Sequence, residues 1–264
     1  WERGMRFSEI TEMADLLQGK PPGIVFSGVQ CDSRRVRPGD IFAAIKGAKE
    51  DGANYAEAAV AKGAVAVLSE MPLRDSAKPV VLVKDVRRAL AVMAAAVHGW
   101  PSREMDVYGI TGTNGKTTTA WLLHEMLRAG GGNPGLMTTV QVEYGGRAIP
   151  TAHTTPDACE LQGLLAAMRG CGCDSAVIEV SSHALDQQRV GSVRFAGAVF
   201  TNLSQDHLDY HGTMEAYFEA KKLMFTRLAQ ECPGVPAVCC IGDGPGYGRR
   251  MAEIVAGLPL KLVK

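Results

Sequence analysis

The chain has 264 residues, enough for one large domain or two smaller ones with a sizeable core. Apolar residues make up 46% and charged ones 21%, ordinary for a soluble globular protein, and 28 basic side chains balance 28 acidic ones. That balance offers no global field to nucleic acid or to a membrane surface, and no apolar stretch approaches the ~18 residues of a membrane span. The N-terminus shows no apolar signal core, and Met5 is expected to be the natural start, with Trp1–Gly4 a remnant of cloning or processing.

Strand-like and helix-like runs alternate along the sequence. "DIFAAIKG", "GAVAVLSE" and "PVVLVKD" read as short strands, and "NYAEAAVAKG" and "VRRALAVMAAAVHG" as helices closed by Gly63 and Gly99. "HGWPSREMD" (98–106), with Pro101, is the expected linker. Beyond it "MDVYGIT" leads into a glycine-bounded loop and a helix over Lys116–Ala129, then "PGLMTT", then a helix over Asp157–Arg169. "SAVIEVS", "AGAVFTNLS" and "PAVCCIG" are near-continuous apolar runs, as strands buried on both faces should be, and "LPLKLVK" reads as a further strand. The alternation predicts an α/β fold with a mostly parallel sheet. Seven cysteines, at 31, 159, 171, 173, 232, 239 and 240, are odd in number, and Cys171-Gly-Cys173 lacks zinc-knuckle spacing. Buried free thiols in a reducing cytoplasm are expected.

The loop "TGTNGKTTT" departs from the strict phosphate-loop pattern, because Ile110 stands where the first glycine belongs. The physics survives. A loop between a buried strand and a helix N-terminus aims several backbone N–H groups at one point, with the helix dipole behind them. Gly112 and Gly115 permit close approach, Lys116 supplies a charge for the β/γ-phosphates, and the Thr117 hydroxyl is placed for Mg²⁺. Glu179, at the carboxyl end of a predicted central strand, fits a Mg²⁺ ligand or water activator as well as a salt-bridged structural acid. "NLSQDHLDYHG" gathers Asp206, His207, Asp209 and His211, which suits metal ligation or a capped polar loop. Lys221, in "YFEAKKLMF", taken by itself reads as a solvated helix lysine.

Together these segments resemble the Mur ligase family, ATP-dependent amide-forming enzymes of peptidoglycan precursor synthesis. The loop is common to that family and to folylpolyglutamate synthases. "HTTPD" (153–157), "EVSSHALDQQRV" (179–190) and "FTNLSQDHLDYHGTMEAYFEAKKLMF" (200–225) are most similar to the ligases that add a third residue to UDP-N-acetylmuramoyl-L-Ala-D-Glu. The resemblance runs from about residue 27 to 228. It implies ATP on Gly112, Thr113, Asn114, Gly115, Lys116, Thr117 and Thr118, and Mg²⁺ on Thr117, Glu179 and His207. His153, Thr154, Thr155, Ser181, Gln187 and Arg189 would hold the muramoyl dipeptide, and Ser33, with the loop near Ala48–Glu50, the uridine part. Lys221 matches a lysine that the family carbamylates, which turns a cation into an anion able to ligate Mg²⁺ and requires a neutral amine first. Lys222 beside it is the expected surface residue.

The resemblance also implies the domain layout. A small uridine-nucleotide α/β domain would span 1–102 and a P-loop-type sheet domain flanked by helices 103–264, the latter incomplete and the family's C-terminal domain absent. Substrate binding without full turnover is therefore expected, from a cytoplasmic monomer with no nucleic-acid or membrane partner. The third residue would be diaminopimelate or lysine, joined through an acyl phosphate on the γ-carboxylate, with Lys116, Lys221, Glu179 and His207 as the catalytic set. "CCIGDGPGYGRR" (239–250) departs from the family run, and Gly244 and Gly246 predict a looser loop there. The rivals are another ligase of the superfamily, such as a folylpolyglutamate synthase, and a non-catalytic relative.

Overall fold

A computed structural model describes residues 4–47, 50–73, 76–151, 153–242 and 246–264. They fall into two compact units, Trp1–Trp100 with Ala158–Gly163, and Pro101–Asp157 with Leu164–Lys264.

In the first unit β1 (Met5–Arg6) pairs antiparallel with β2 (Val25–Phe26). There follow β3 (Gly28–Gln30), β4 (Asp40–Ala43), α1 (Ala56–Ala61), β5 (Ala66–Ser69), β6 (Val80–Leu82) and α2 (Val86–Val97). Among the described residues β3-β4-β5-β6, in that order, form a four-stranded parallel sheet. The Asp85 carboxylate accepts from the Arg88 N–H at 2.9 Å and starts α2, an alanine-rich helix that buries most of its length. Ile41, Leu68 and Met93 are wholly inaccessible in the core it shares with the sheet.

The second unit runs β7 (Asp106–Thr111), α3 (Lys116–Ala129), β8 (Pro134–Met137), β9 (Gln141–Tyr144), β10 (Arg147–Pro150), α4 (Ala158–Gly170, whose first turns belong to the other unit) and β11 (Ser175–Glu179). It continues with α5 (Ser182–Asp186), β12 (Phe195–Phe200), α6 (Leu208–His211), α7 (Met214–Glu231), β13 (Pro236–Cys239), α8 (Tyr247–Ala256) and β14 (Lys261–Val263). The sheet order is β10-β9-β8-β11-β7-β12-β13-β14, parallel except where β9 pairs with β8 and β10. β11 is buried along its whole length, as its apolar run predicts. From β7 the chain winds first to β8 and β11 on one side, then to β12 and β13 on the other. The reversal lies between β7 and β12, where open α/β sheets bind ligands beyond the strands' carboxyl ends.

Three expectations change. The β9–β10 hairpin stands where none is predicted; its signal is Gly145-Gly146, both at positive φ (+56° and +72°) as a tight hairpin turn demands. Cys171 and Cys240 are exposed rather than buried, while Cys239 is buried and its thiol is pushed up to about 12 by that burial. Gly244 lies outside the described residues, and Gly246 caps α8 with φ +81° instead of loosening a loop. Among the described residues no helix is long and apolar enough to cross a membrane.

Candidate functional site

The carboxyl ends of β7, β11 and β12 carry the loops that sequence singles out. Gly112 sits at φ +150°, and a Cβ there would stand 1.9 Å from Thr201 Oγ1, so the approach of the two loops requires glycine. Gly115 needs it for another reason: its φ of +80° starts α3 in open space. The loop is braced by the segment after β12. Thr113 N–H donates to the Asn202 carbonyl at 3.0 Å, Asn114 N–H to Asn202 Oδ1 at 3.0 Å, and Thr201 Oγ1 to the Asn114 carbonyl at 2.7 Å.

Two ammonium groups converge on one carbonyl. Lys116 Nζ donates to Gly112 O at 3.0 Å and to Thr113 O at 2.6 Å, and Lys221 Nζ reaches the same Gly112 O at 2.8 Å. Lys221 is 1% exposed, so the solvated helix lysine expected from its sequence alone is not what the fold makes. Its ammonium lies 4.6 Å from the centre of the Tyr217 ring. The Tyr217 hydroxyl is 3.2 Å from Thr113 Oγ1, which in turn accepts from the Ser204 N–H at 3.1 Å. Burial pushes the Lys221 amine well below its ordinary pKa; the charge of Lys116 adds to this and Asp206 opposes it. Burial also lowers Lys116, against the pull of Glu179 and Asp206. Lys222 is half-buried and paired with Glu219.

Glu179 is wholly inaccessible. Its Oε1 accepts from the Thr139 N–H at 3.0 Å and its Oε2 lies 3.2 Å from Thr139 Oγ1. Thr154 Oγ1 lies 3.2 Å from that same hydroxyl. Thr155 Oγ1 donates to the Glu179 carbonyl at 2.9 Å and accepts from the Ser181 N–H at 3.1 Å; the Ser181 hydroxyl caps α5. Arg189 donates to the Thr155 carbonyl at 2.8 Å and to Gln187 Oε1 at 2.8 Å, and Gln187 Nε2 to the Tyr210 hydroxyl at 3.1 Å. The expected peptide-binding residues thus form one connected network, except His153. That residue is exposed, and its backbone is tied to the Thr151 hydroxyl.

His207 stands exposed at φ +52°, with its N–H donating to Asp206 Oδ1 at 2.8 Å and its ring 5.0 Å from that of His183. Burial and the neighbouring imidazoles hold His183 and His211 below the usual histidine range. Within this unit's described residues no three His, Cys, Asp or Glu ligand atoms come within 4.8 Å of one another. Such a set is unsuited to a closed zinc cage. The buried Glu179 carboxylate is the kind of single hard donor around which Mg²⁺ keeps several waters and takes further ligation from phosphates. In the other unit Ser33 lines a cavity of about 540 Å³ with Cys31, Asp32, Arg34, Phe42, Glu50 and Tyr55. Ala48 and Lys49 lie outside the described residues. Sequence inspection assigns no role to Thr139, Asn202 or Tyr217. The last two sit inside the quoted 200–225 segment, and Thr139 has no local signal at all.

A buried strand, a glycine-bounded loop with a lysine, and a helix N-terminus at the sheet's reversal point make the geometry of a nucleotide-binding P-loop protein. Residues 110–245 match the Mur ligase middle domain and residues 25–98 the Mur ligase family catalytic domain, and the chain belongs to the Mur ligase family. It is 48% identical over 210 residues to the UDP-N-acetylmuramoyl-L-alanyl-D-glutamate–2,6-diaminopimelate ligase of Geobacillus kaustophilus, covering 80% of this chain and 42% of that protein. A solved structure of a ligase of the same name matches with a TM-score of 0.80 at 31% identity, over 98% of this chain and 52% of that one. A folylpolyglutamate synthase from Mycobacterium tuberculosis, complexed with ADP and AMPPCP, shares the fold alone, with a TM-score of 0.54 at 19% identity over 67% of this chain and 46% of that one. The chain spans less than half the length of the curated relative it matches.

Proposed function

We propose that this chain carries the nucleotide- and muramoyl-peptide-binding parts of an ATP-dependent ligase. The ligase would join a diamino acid to UDP-N-acetylmuramoyl-L-Ala-D-Glu, and the names of the relatives favour 2,6-diaminopimelate. The observation that carries this is the convergence of Lys116 and the buried Lys221 on the Gly112 carbonyl, with Lys116 within the electrostatic reach of Glu179 and Asp206. A desolvated amine at Lys221 is the state from which a carbamate forms: nitrogen bonds to CO₂ carbon and one proton leaves. Two oxygens of opposite sign then replace one cation beside the phosphate loop.

In the reaction the substrate's γ-carboxylate oxygen takes the terminal phosphoryl group of ATP, and ADP leaves. The amine of the incoming residue then forms the C–N bond, loses a proton and expels phosphate. Lys116 neutralises phosphate charge and the loop N–H groups orient it. Mg²⁺ held by Glu179, Thr117, His207 and a carbamylated Lys221 would supply further charge neutralisation. Arg189 and Gln187 shape the peptide site through Thr155 and Ser181, and Ser33 serves the uridine part. The protein would act as a cytoplasmic monomer.

The test is calorimetric titration of UDP-N-acetylmuramoyl-L-Ala-D-Glu, with the analogue lacking the dipeptide as control. Saturable binding that needs the dipeptide and weakens at least about tenfold in Arg189→Ala is expected, the factor for one lost charged hydrogen bond. A folded sample that binds neither this ligand nor Mg²⁺–ADP sinks the proposal.

A further inference from the structure

We propose that Thr139 is a positioning residue that couples the cation site to the muramoyl-peptide site, an inference that rests on the function proposed above. Glu179 is wholly buried, and each of its carboxylate oxygens meets a donor from the same residue: Thr139 N–H at 3.0 Å on Oε1 and Thr139 Oγ1 at 3.2 Å on Oε2. One threonine therefore fixes the plane of the carboxylate from both ends. The remaining lone pairs of both oxygens are left for a cation.

The coupling follows from counting hydrogens. Thr139 Oγ1 carries one proton and lies 3.2 Å from Thr154 Oγ1 as well as from Glu179. Thr139 is the donor in both contacts, so while its proton serves the carboxylate it cannot also direct the Thr154 hydroxyl, which is left free to rotate. A cation on Glu179 makes Oε2 a poorer acceptor. The Thr139 proton can then turn to Thr154, occupying one of its lone pairs and directing the Thr154 O–H outward to an acceptor on the peptide. No bond to carbon changes, and the carboxylate keeps the backbone N–H that holds it in place. Thr139 is exposed and Thr154 half-buried, so a ligand can reach the relay.

The experiment compares Thr139→Val, which keeps the shape and the backbone N–H but loses the hydroxyl, with Thr139→Ser, which keeps the hydroxyl. Calorimetry reads ADP affinity with and without Mg²⁺, and the affinity for UDP-N-acetylmuramoyl-L-Ala-D-Glu with and without Mg²⁺–ADP. In Thr139→Val the gain in ADP affinity from Mg²⁺ should shrink about tenfold, with Mg²⁺-free binding within about threefold of the parent. The factor by which Mg²⁺–ADP changes peptide affinity should fall to one. Thr139→Ser should restore both, and Thr154→Val, which breaks the relay from its other end, should also remove the coupling. Parent-like behaviour in Thr139→Val, or equal damage in the Val and Ser variants, overturns the inference while leaving the functional proposal standing. Failure of the parent chain to bind Mg²⁺–ADP would bring down both.

Discussion

The loop after β3 and the loop after β7 both gather charged side chains, and water treats them oppositely. In the first, Arg34 and Asp32 meet at 2.8 Å with the Arg34 side chain 86% exposed; lining the same cavity from beyond β4, the Tyr55 hydroxyl donates to Glu50 at 2.7 Å in similar surroundings. At the second, Lys221 reaches in from α7 and is 1% exposed, while Glu179, at the end of β11, is wholly inaccessible. Coulomb energy at a given separation grows several-fold as the effective dielectric falls from water toward a protein surface or interior. Identical side-chain chemistry is therefore a weak, adaptable contact in one place and a site with altered proton affinities in the other. The two lysines that meet the loop after β7 are aimed at a carbonyl and lowered in pKa. Of the pair after β3, Asp32 is only held lower by its neighbour's guanidinium.

The largest effect that tests this contrast is at Lys116. Lys116→Met removes the half-buried cation at the start of α3, and ADP affinity should fall about a hundredfold, near the upper range for a charge-assisted hydrogen bond. Arg34→Met should change the affinity for the uridine-linked substrate less than about threefold at 0.15 M salt, where exposed charges are screened. Titration calorimetry on the two variants reads both numbers. Comparable losses would break the comparison.

Much of the second corner was legible because its chemistry is written locally. Gly112, Gly115, Lys116 and Thr117 stand within six residues, and the helix they open runs from Lys116 to Ala129 as its pattern predicts. Thr139 shows where local reading ends. Its place beside Glu179 comes from strand register: β8 pairs with β11 so that Met137 faces Ile178, and the residues after Met137 then run alongside Glu179. No sequence spacing encodes a contact across 40 residues. The burial of Lys221 escapes its local sequence for a similar reason, and only the family resemblance implied a neutral amine there. A lysine beside a second lysine in an amphipathic helix looks solvated, and only the packing of α7 under the phosphate loop takes it out of water. The β9–β10 hairpin was hidden differently: β10 is exposed at all four positions, so no apolar alternation marks it, and Gly145-Gly146 is its one signal.

A smaller effect sharpens the contrast through stability. The Lys221 amine has its folded pKa lowered, so the unfolded chain binds more protons between that value and the ordinary 10.5. Stability therefore rises with pH across that window, and the penalty of burying the cation is fully present below it. Lys221→Met, of similar length and without charge, should raise the melting temperature at pH 7 in CO₂-free buffer, by about 2–4 °C for each kcal/mol relieved. The advantage over the parent should shrink as pH climbs toward 10.5. Added bicarbonate and Mg²⁺ should narrow it as well, by stabilising the parent alone, if the amine forms a carbamate. A variant that melts lower than the parent at every pH would mean that the Gly112 and Tyr217 contacts outweigh desolvation.

The smallest effect belongs to the exposed pair. The Arg34 guanidinium, bonded to Asp32, holds that carboxyl below its ordinary 3.8. A depressed carboxylate contributes stability above its unfolded pKa and loses it as pH falls through the folded one. Solvent screens this pair, so Asp32→Asn should shift the melting temperature at pH 7 by no more than about 2 °C. The difference should vanish in 1 M salt, where the screening length is ~3 Å, and also in acid once the carboxyl is protonated. Thermal scans across salt and pH decide it. A larger, salt-resistant shift would show that Asp32 acts through its backbone contact, the Arg34 N–H at 2.9 Å, and shapes the Ser33 loop as a turn rather than as a charge.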